Sequence, residues 1–221
     1  MRGMFSEWEL SKRLNEGGKN MERSDHAASA TKELISIVMA LAATNIITQF
    51  VAIHAQGNGY SVPDPTDYAL LGALLLFAVR FYHGNVLNID YHLATDSKSH
   101  AVTRGIAFFV VLSQSFILTF IPYSLRNMPN AIFLIVIIFA TDFLWLGQHF
   151  HTQAPSKHEA NWAILAGVGG FLFGARYMFQ MSEKWTIVVM LALTSVLDYA
   201  INWSFYFPST TSDSIPAGNS V

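Results

Sequence analysis

Four ionisable residues lie inside long apolar segments of the chain, where charge is costly. Asp142 lies near the middle of the apolar segment 131–150, and Arg80, Arg176 and Asp198 lie within three other such segments. Because hydrocarbon does not solvate charge, ionisable side chains in membrane segments usually line an ion or substrate path or pair with one another. These residues predict a membrane protein with a polar interior that handles charge.

Polar amides accompany these charges at helical spacing. Asn45 and Gln49 are four residues apart, as are Asp198 and Asn202, while Gln114 lies between two serines in a further apolar segment. Residues four apart share a helix face, and lipid cannot satisfy their hydrogen bonds, so they should face inward. We predict an ion or substrate path lined by Asp142, Asp198, Arg80, Arg176, Asn45, Gln49, Gln114 and Asn202.

The buried charges also have a purely structural interpretation. A static ion pair between an arginine and Asp142 or Asp198 would only fix the helices, and an arginine near a helix end can reach the interface along its aliphatic stem. In the functional interpretation, burial favours a protonated carboxyl and a nearby arginine favours an ionised one, so protonation depends on conformation. That dependence would suit proton coupling or cation passage.

A second group of candidates lies near one end of the predicted spans. The segment from Arg80 to Asp90 is the most polar exit from any span. We predict gate residues there and beside Asp142, namely His83, Asn85, Asp90 and Trp145. Aromatic residues near other span ends, including Trp162 and Tyr206, are typical of interfacial belts.

Histidines could in principle bind a metal on the same side. Imidazoles together with carboxylates can hold zinc or iron. No two of the six histidines concerned are three or four residues apart, the spacing that places two ligands on one helix face. A site formed by His83, His92, His100, His149, His151 and His158 is therefore one alternative beside helix-end hydrogen bonding and pH sensing, and no cofactor is predicted.

Composition agrees with a membrane domain. Residues are 52% hydrophobic and only 13% charged, which is too little polar surface for an ordinary soluble domain. The net charge of −2 gives no nucleic-acid footprint. The absence of cysteine excludes disulfides, thiolate metal sites and thiol catalysis.

Six apolar windows have the length of about 20 residues that crosses a hydrocarbon core about 30 Å thick. They cover residues 34–55, 68–87, 105–123, 131–150, 161–180 and 185–207. Residues typical of helix starts precede them, including Asp64 with Pro65, Asn127 with Pro129, and Ser182. The sequence therefore predicts an all-α integral membrane protein, a bundle of six transmembrane helices.

The chain divides into three parts. Residues 1–33 are polar and form either an interfacial helix that stops at Gly17 and Gly18 or a disordered segment, residues 34–207 form the membrane domain, and residues 208–221 form a disordered tail. Lysine and arginine outside the windows are concentrated on the N-terminal side, and the opposite side has only Arg126 and Lys184. This bias predicts that both termini are cytoplasmic, in a plasma or inner membrane.

The two halves of the membrane domain contain similar segments. The sequence around Asn45 resembles that around Asp142, and the sequence around Arg80 resembles that around Arg176. Asn45 and Arg80 are 35 residues apart, and Asp142 and Arg176 are 34 residues apart. With three spans in each half, the similarity indicates a 3+3 inverted repeat, typical of transporters and channels, in which Asn45 and Asp142 face each other. Apolar segments also produce short matches by chance, which is the alternative explanation.

These features favour a small channel or secondary transporter for protons, cations or a small polar solute, forming a homo-oligomer in the bilayer. One alternative is a membrane-embedded enzyme that uses the histidines, with a metal, on a lipid-soluble or head-group substrate. Another is a signalling or structural membrane protein whose buried charges only fix the helix register. The sequence has no phosphate-binding glycine loop, nucleophile elbow or zincin spacing, so a non-enzymatic function is favoured.

Overall fold

The structure is a computed structural model that describes the backbone of residues 2–56, 59–95, 101–152 and 157–208. The side chains it describes are those of residues 26, 29–55, 61–90, 108–143 and 157–208. The described part of the fold is all-α apart from two antiparallel strands of two residues each. Its elements are α1 (Arg2–His54), β1 (Ala55–Gln56), β2 (Gly59–Tyr60), α2 (Pro65–Thr95), α3 (Ala101–Ser124), α4 (Met128–Thr152), α5 (Lys157–Met178), α6 (Glu183–Ile201) and α7 (Trp203–Tyr206).

Three helices in the described part of the chain are long and apolar enough to cross a membrane. They are Ser29–His54 within α1, Pro65–Asp90 within α2, and Glu183–Ile201, which is α6. Shorter apolar stretches, Phe108–Ser124 and Met128–Phe143, belong to α3 and α4. The prediction of an all-helical fold is confirmed, and the three long apolar helices support the prediction of a membrane protein. The count of six spans is not confirmed.

Local chemistry explains where two of these helices begin. Asp64 Oδ1 accepts a hydrogen bond from the Asp67 backbone N–H at 2.9 Å, and Asp67 Oδ2 accepts one from the Asp64 N–H at 3.0 Å. Pro65 then opens α2, a position where its missing N–H costs nothing. Ser182 Oγ caps α6 by accepting from the Trp185 N–H at 3.3 Å. Both starts agree with the sequence predictions.

Two helix ends differ from expectation. Helix α1 continues through Gly17 and Gly18, so the predicted stop there is wrong; an interior glycine costs a helix only about 1 kcal/mol and does not by itself end it. The last predicted span, 185–207, is interrupted, because α6 ends at Ile201 and α7 begins at Trp203. Asn202 lies at this break with φ −103° and ψ 25°.

The helices pack in a closed order. Helix α1 contacts α2 and α3, α2 contacts α6, α6 contacts α5, α5 contacts α4, and α4 returns to α3. The interior contains fully buried apolar side chains from these helices, including Ile46, Leu74, Phe77, Leu118, Ile135 and Leu191. Large apolar side chains such as Val79, Phe109, Phe133 and Phe171 are exposed on the outside, as lipid contact requires.

The inverted repeat is not confirmed by this arrangement. A two-fold axis that exchanges the two halves would match the α2–α6 contact with one between α5 and α3, which is not among the principal helix contacts of the described residues. Asn45 does not pair with Asp142. Instead its side chain contacts α3, where Nδ2 donates to the Thr119 carbonyl at 3.4 Å and Oδ1 accepts from the Tyr123 hydroxyl at 3.2 Å.

Candidate functional site: a buried arginine and two carboxylates

Asp198 on α6 is the centre of a buried polar cluster. Its side chain is fully buried and receives four hydrogen bonds. Oδ2 accepts from Arg80 Nε and from the Tyr206 hydroxyl, the latter at 2.5 Å, and Oδ1 accepts from Trp162 Nε1 at 3.0 Å and Asn202 Nδ2 at 2.6 Å. Four converging donors, one of them a cation, are the arrangement that stabilises an ionised carboxylate away from water.

The spacing of three of these residues follows from helical geometry. Asp198, Asn202 and Tyr206 are four residues apart, so they face the same direction even though the helix breaks between the first and the last. Asn161 on α5 donates to Asn202 Oδ1 at 2.7 Å, which fixes the orientation of that amide. Thus α5, α6 and α7 are joined through one carboxylate and its neighbours.

Gly84 lets the tyrosine approach α2. A Cβ at this position would lie 3.0 Å from the Tyr206 hydroxyl oxygen and 3.4 Å from Trp162 Cζ2. Any larger side chain would therefore push on two of the donors to Asp198. The glycine lies one turn beyond Arg80 on α2, so the same helix supplies the cation and the space for the tyrosine.

Arg80 is buried and contacts more than its ion-pair partner. Its guanidinium carbon lies 6.0 Å from the centre of the Trp162 ring, at the outer limit of a cation–π contact. Arg80 also interacts electrostatically with Asp142 on α4. One arginine thus pairs with Asp198 and also acts electrostatically on a carboxylate of a different helix.

Asp142 is much less well satisfied than Asp198. It is half-buried, and Oδ1 accepts one hydrogen bond, from Gln114 Nε2 at 2.8 Å. The Gln114 amide is shared with the Thr141 hydroxyl at 2.5 Å. Among the side chains described, the only cation acting on Asp142 is Arg80, which already binds Asp198.

The structure brings together five of the eight residues predicted to line a path. Arg80 and Asn202 bind Asp198, and Gln114 binds Asp142. The charge of Arg80 also acts on Asp142, which links the two sets. Asn45 lies apart from this group and contacts α3, as described above. Gln49 is half-buried and makes no side-chain hydrogen bond with any residue in the described part of the chain.

Arg176 does not join the predicted path and contacts aromatic residues of its own helix instead. Its Nη2 donates to the Tyr177 hydroxyl at 2.9 Å. The guanidinium carbon lies 5.1 Å from the Phe173 ring centre and 4.6 Å from that of Tyr177, whose side chain is exposed. Arg176 therefore packs on aromatic rings at the outside of α5 rather than against a carboxylate.

The predicted gate residues lie in different places. The His83 ring packs against Tyr206, with ring centres 5.0 Å apart, so it borders the Asp198 cluster. Asn85 donates to the Phe81 carbonyl of its own helix at 2.9 Å. Asp90 is exposed and pairs with Lys32 of α1, and the side chain of Trp145 lies outside the described residues.

Only two of the six histidines have described side chains, His83 and His158. His158 is buried, its ring stacks on Phe205 at 4.0 Å, and its Nε2 lies 3.2 Å from Asn88 Oδ1. The side chains of His92, His100, His149 and His151 lie outside the described part. Within that part, no three or more His, Asp and Glu side chains are grouped as a metal ion would require. The metal site stays a prediction.

Sequence reasoning missed two donors and one cluster. Trp162 and Tyr206 were interpreted as interfacial aromatics, yet both bind Asp198; the four-residue spacing of Tyr206 from Asn202 is the signal that could have found it. At the opposite end of the bundle, Asp67 accepts from Lys184 Nζ at 2.5 Å and lies 3.1 Å from His54 Nε2. Lys184 and Asp67 are 117 residues apart, so no local sequence pattern indicates that they pair.

Comparisons with known proteins add no identification to this geometry. No family model, curated protein or solved structure matches the chain. Function must therefore be inferred from the residues of the bundle.

Proposed function

We propose that the protein is a small polytopic membrane channel or secondary transporter that moves protons or cations past Asp142. One observation supports this most directly: inside an apolar bundle, Arg80 is ion-paired with Asp198 and is the one described cation that acts electrostatically on Asp142. If both carboxylates are ionised, the group carries one uncompensated negative charge. A proton or a cation is the species that removes such a charge, because leaving it unpaired in a low-dielectric interior is costly.

The two aspartates have different proposed roles. Asp198 has four donors and complete burial, so it anchors α2, α5, α6 and α7 to one another. Asp142 has one amide donor and partial exposure, so it is the carboxylate that exchanges a proton or cation. Gln114 orients Asp142 through its hydrogen bond, and Arg80 interacts electrostatically with both carboxylates.

The proposed membrane arrangement has six spans, formed by α1 to α6. Support comes from the closed packing order, in which α3, α4 and α5 occupy the same ring as the three long apolar helices. Both termini would be cytoplasmic, and the protein would act as a homo-oligomer. A small polar solute is an alternative cargo of the same path, and the similarity between the halves stays a prediction.

A second candidate function is favoured by the completeness of the Asp198 cluster. Buried ion pairs with every hydrogen bond satisfied can serve only to specify how helices pack. In that case the protein is a structural or signalling membrane component and moves no ions. No contact among the described residues favours the enzyme alternative.

The experiment is ion flux in liposomes reconstituted with purified protein. Proton flux, read with an internal pH dye, and monovalent cation flux are compared for the wild type, Asp142→Asn and Glu183→Gln. We expect Asp142→Asn to lower flux by at least about tenfold, equivalent to a barrier increase of about 1.4 kcal/mol. Glu183→Gln removes a carboxylate outside the cluster and should match the wild type.

A third variant separates transport from folding. Asp198→Asn leaves Arg80 buried without its counter-ion, and breaking such a pair typically costs about 3–5 kcal/mol. We expect a large drop in the thermal unfolding midpoint for Asp198→Asn and a small one for Asp142→Asn. Wild-type flux from a folded Asp142→Asn protein would sink the proposal, and a folded wild type without flux would favour the structural function.

A further inference from the structure

A cavity lies at the end of the bundle opposite the Asp198 cluster. Its volume is about 710 Å³, and it is formed by the end of α1, the start of α2, the α3–α4 turn and the start of α6. Most of its wall is apolar, with side chains that include Ile46, Phe50, Ile53, Leu70, Leu74 and Leu125. Volumes of about 300–1,000 Å³ with mainly apolar walls are typical of sites for drug-sized ligands.

The charged groups of the cavity do not cancel. Lys184 and Asp67 are paired with each other, and both line the wall. Arg126, from the α3–α4 turn, also lines the cavity and is exposed at its edge. No carboxylate in the described part of the chain pairs with Arg126. The cavity therefore combines an apolar interior with one uncompensated positive charge.

His54 adds to this bias toward anions. Its Nδ1 lies 2.7 Å from the Phe50 carbonyl oxygen and its Nε2 lies 3.1 Å from Asp67 Oδ2. Both ring nitrogens thus face acceptors, an arrangement that the doubly protonated ring satisfies fully. Among the described residues that line the cavity, Asp67 is the only carboxylate, and it is occupied by His54 and Lys184 together.

We infer that this cavity binds an amphipathic monoanion, an alkyl chain whose head group carries one negative charge. The apolar wall would bury the chain, which the hydrophobic effect favours in proportion to buried area. Arg126 would bind the oxygens of a carboxylate or phosphate head group, to which a guanidinium offers two parallel donors. This inference does not depend on ion transport, since it concerns the other end of the bundle and different residues.

The test is binding of dodecanoate to the full chain in nanodiscs of zwitterionic phosphatidylcholine. Affinity is read as displacement of a fluorescent dansyl-labelled fatty acid. We expect saturable displacement by dodecanoate, and none by dodecyltrimethylammonium, which has the chain without the anion, or by acetate, which has the anion without the chain. Arg126→Gln should weaken binding by about tenfold or more, the loss expected for one charge-assisted contact.

Two further variants control for charge and for space. Arg176→Gln removes a cation near the same end of the bundle but outside the cavity, and it should bind dodecanoate like the wild type. Ala52 lines the cavity, so Ala52→Phe should reduce binding with every charge retained. Thermal unfolding in nanodiscs verifies that each variant is folded. Equal weakening in Arg126→Gln and Arg176→Gln, or full binding by Ala52→Phe, would overturn the inference.

A final arm distinguishes a free fatty acid from a bilayer lipid. The same measurement is repeated in nanodiscs that contain phosphatidylglycerol, whose head group is also a monoanion. Competition that disappears in Arg126→Gln would identify a lipid as the source of the anionic chain. Dodecanoate binding unaffected by phosphatidylglycerol would indicate a free alkyl carboxylate. Displacement by the alkyl ammonium as strong as by dodecanoate would contradict both.

Discussion

Asp142 and Asp198 are the same residue type in similar apolar helices, and their partners make them different. Asp198 receives four donors and no solvent, whereas Asp142 receives one amide donor and remains half-buried. A buried carboxylate is tolerated in proportion to the donors that replace water. For this reason the structure separates a candidate anchor from a candidate exchange site.

Gly84 provides a test of the anchor that leaves every charge in place. Gly84→Ala would add a Cβ 3.0 Å from the Tyr206 hydroxyl, which is already held between Asp198 and the rings of His83 and Tyr199. Because the ring cannot easily retreat, we expect a lower thermal unfolding midpoint and altered tryptophan fluorescence from the neighbouring Trp162.

The matched control is another glycine of the same helix. Nothing lies within 4 Å of a Cβ built at Gly72, so Gly72→Ala should gain up to about 1 kcal/mol of helix propensity without a clash. Measuring both variants by the same melt cancels the shared propensity term. If Gly84→Ala melted as high as Gly72→Ala, the close approach of Tyr206 to α2 would be refuted.

At the scale of elements, one glycine determines how closely two helices approach. A Cβ at Gly169 on α5 would overlap the ring of Phe139 on α4, whereas one at Gly170 would meet nothing within 4 Å. Small residues at such contacts allow backbones to approach closely in membranes. Helix α5, which carries Trp162, is therefore held against α4 at a distance that a side chain would not permit.

The neighbouring glycines offer a second matched pair. Gly169→Ala should lower stability by about 1–3 kcal/mol, the usual cost of overpacking, because either Phe139 or α5 must move. Gly170→Ala should be neutral or slightly stabilising. Unfolding midpoints in one detergent provide the comparison, and equal midpoints would mean that α4 and α5 do not pack through Gly169.

At the scale of the whole molecule, the closed order of helices determines which charges meet. Helix α2 lies between α1 and α6, so Arg80 reaches Asp198 although 118 residues separate them. Helix α5 neighbours both α4 and α6, yet Arg176 lies near its C-terminal end and packs on Phe173 and Tyr177, whereas Trp162 near its start reaches Asp198. The polar group is thus a property of the assembled bundle.

Topology can be tested by labelling, because the chain has no cysteine of its own. We expect Val62→Cys and Gln180→Cys, in exposed connections, to react with an impermeant maleimide from one side of sealed vesicles. Lys157→Cys and Pro208→Cys should react from the other side, which six spans require. Leu74→Cys, buried at 1% exposure, should stay unlabelled.

Labelling of Gln180→Cys and Lys157→Cys from the same side would show that α5 does not cross the bilayer. Labelling of Val62→Cys and Pro208→Cys from the same side would show that an even number of spans, and not five, lies between these two positions. Reactivity of Leu74→Cys in the folded protein would instead indicate that the interior is open to water.

The sequence by itself determined the class of protein and much of the helix pattern. Hydropathy over about 20 residues and helix-start residues such as Asp64 and Ser182 act locally, so the amino-acid order alone is enough to place α2 and α6. It also selected four of the buried polar residues, Arg80, Gln114, Asp198 and Asn202, since an ionisable group in an apolar helix must find an interior partner. The helix end predicted from Gly17 and Gly18 is wrong, because α1 continues through both glycines.

Only the tertiary structure decided which of these residues meet. Arg80 and Arg176 follow nearly the same local sequence, yet one binds a buried carboxylate and the other packs on surface aromatics. The difference arises from the neighbour that each helix face meets, which depends on packing order and helix rotation. Local sequence therefore predicts that a charge is buried, and its partner is determined by contacts between helices far apart in the chain.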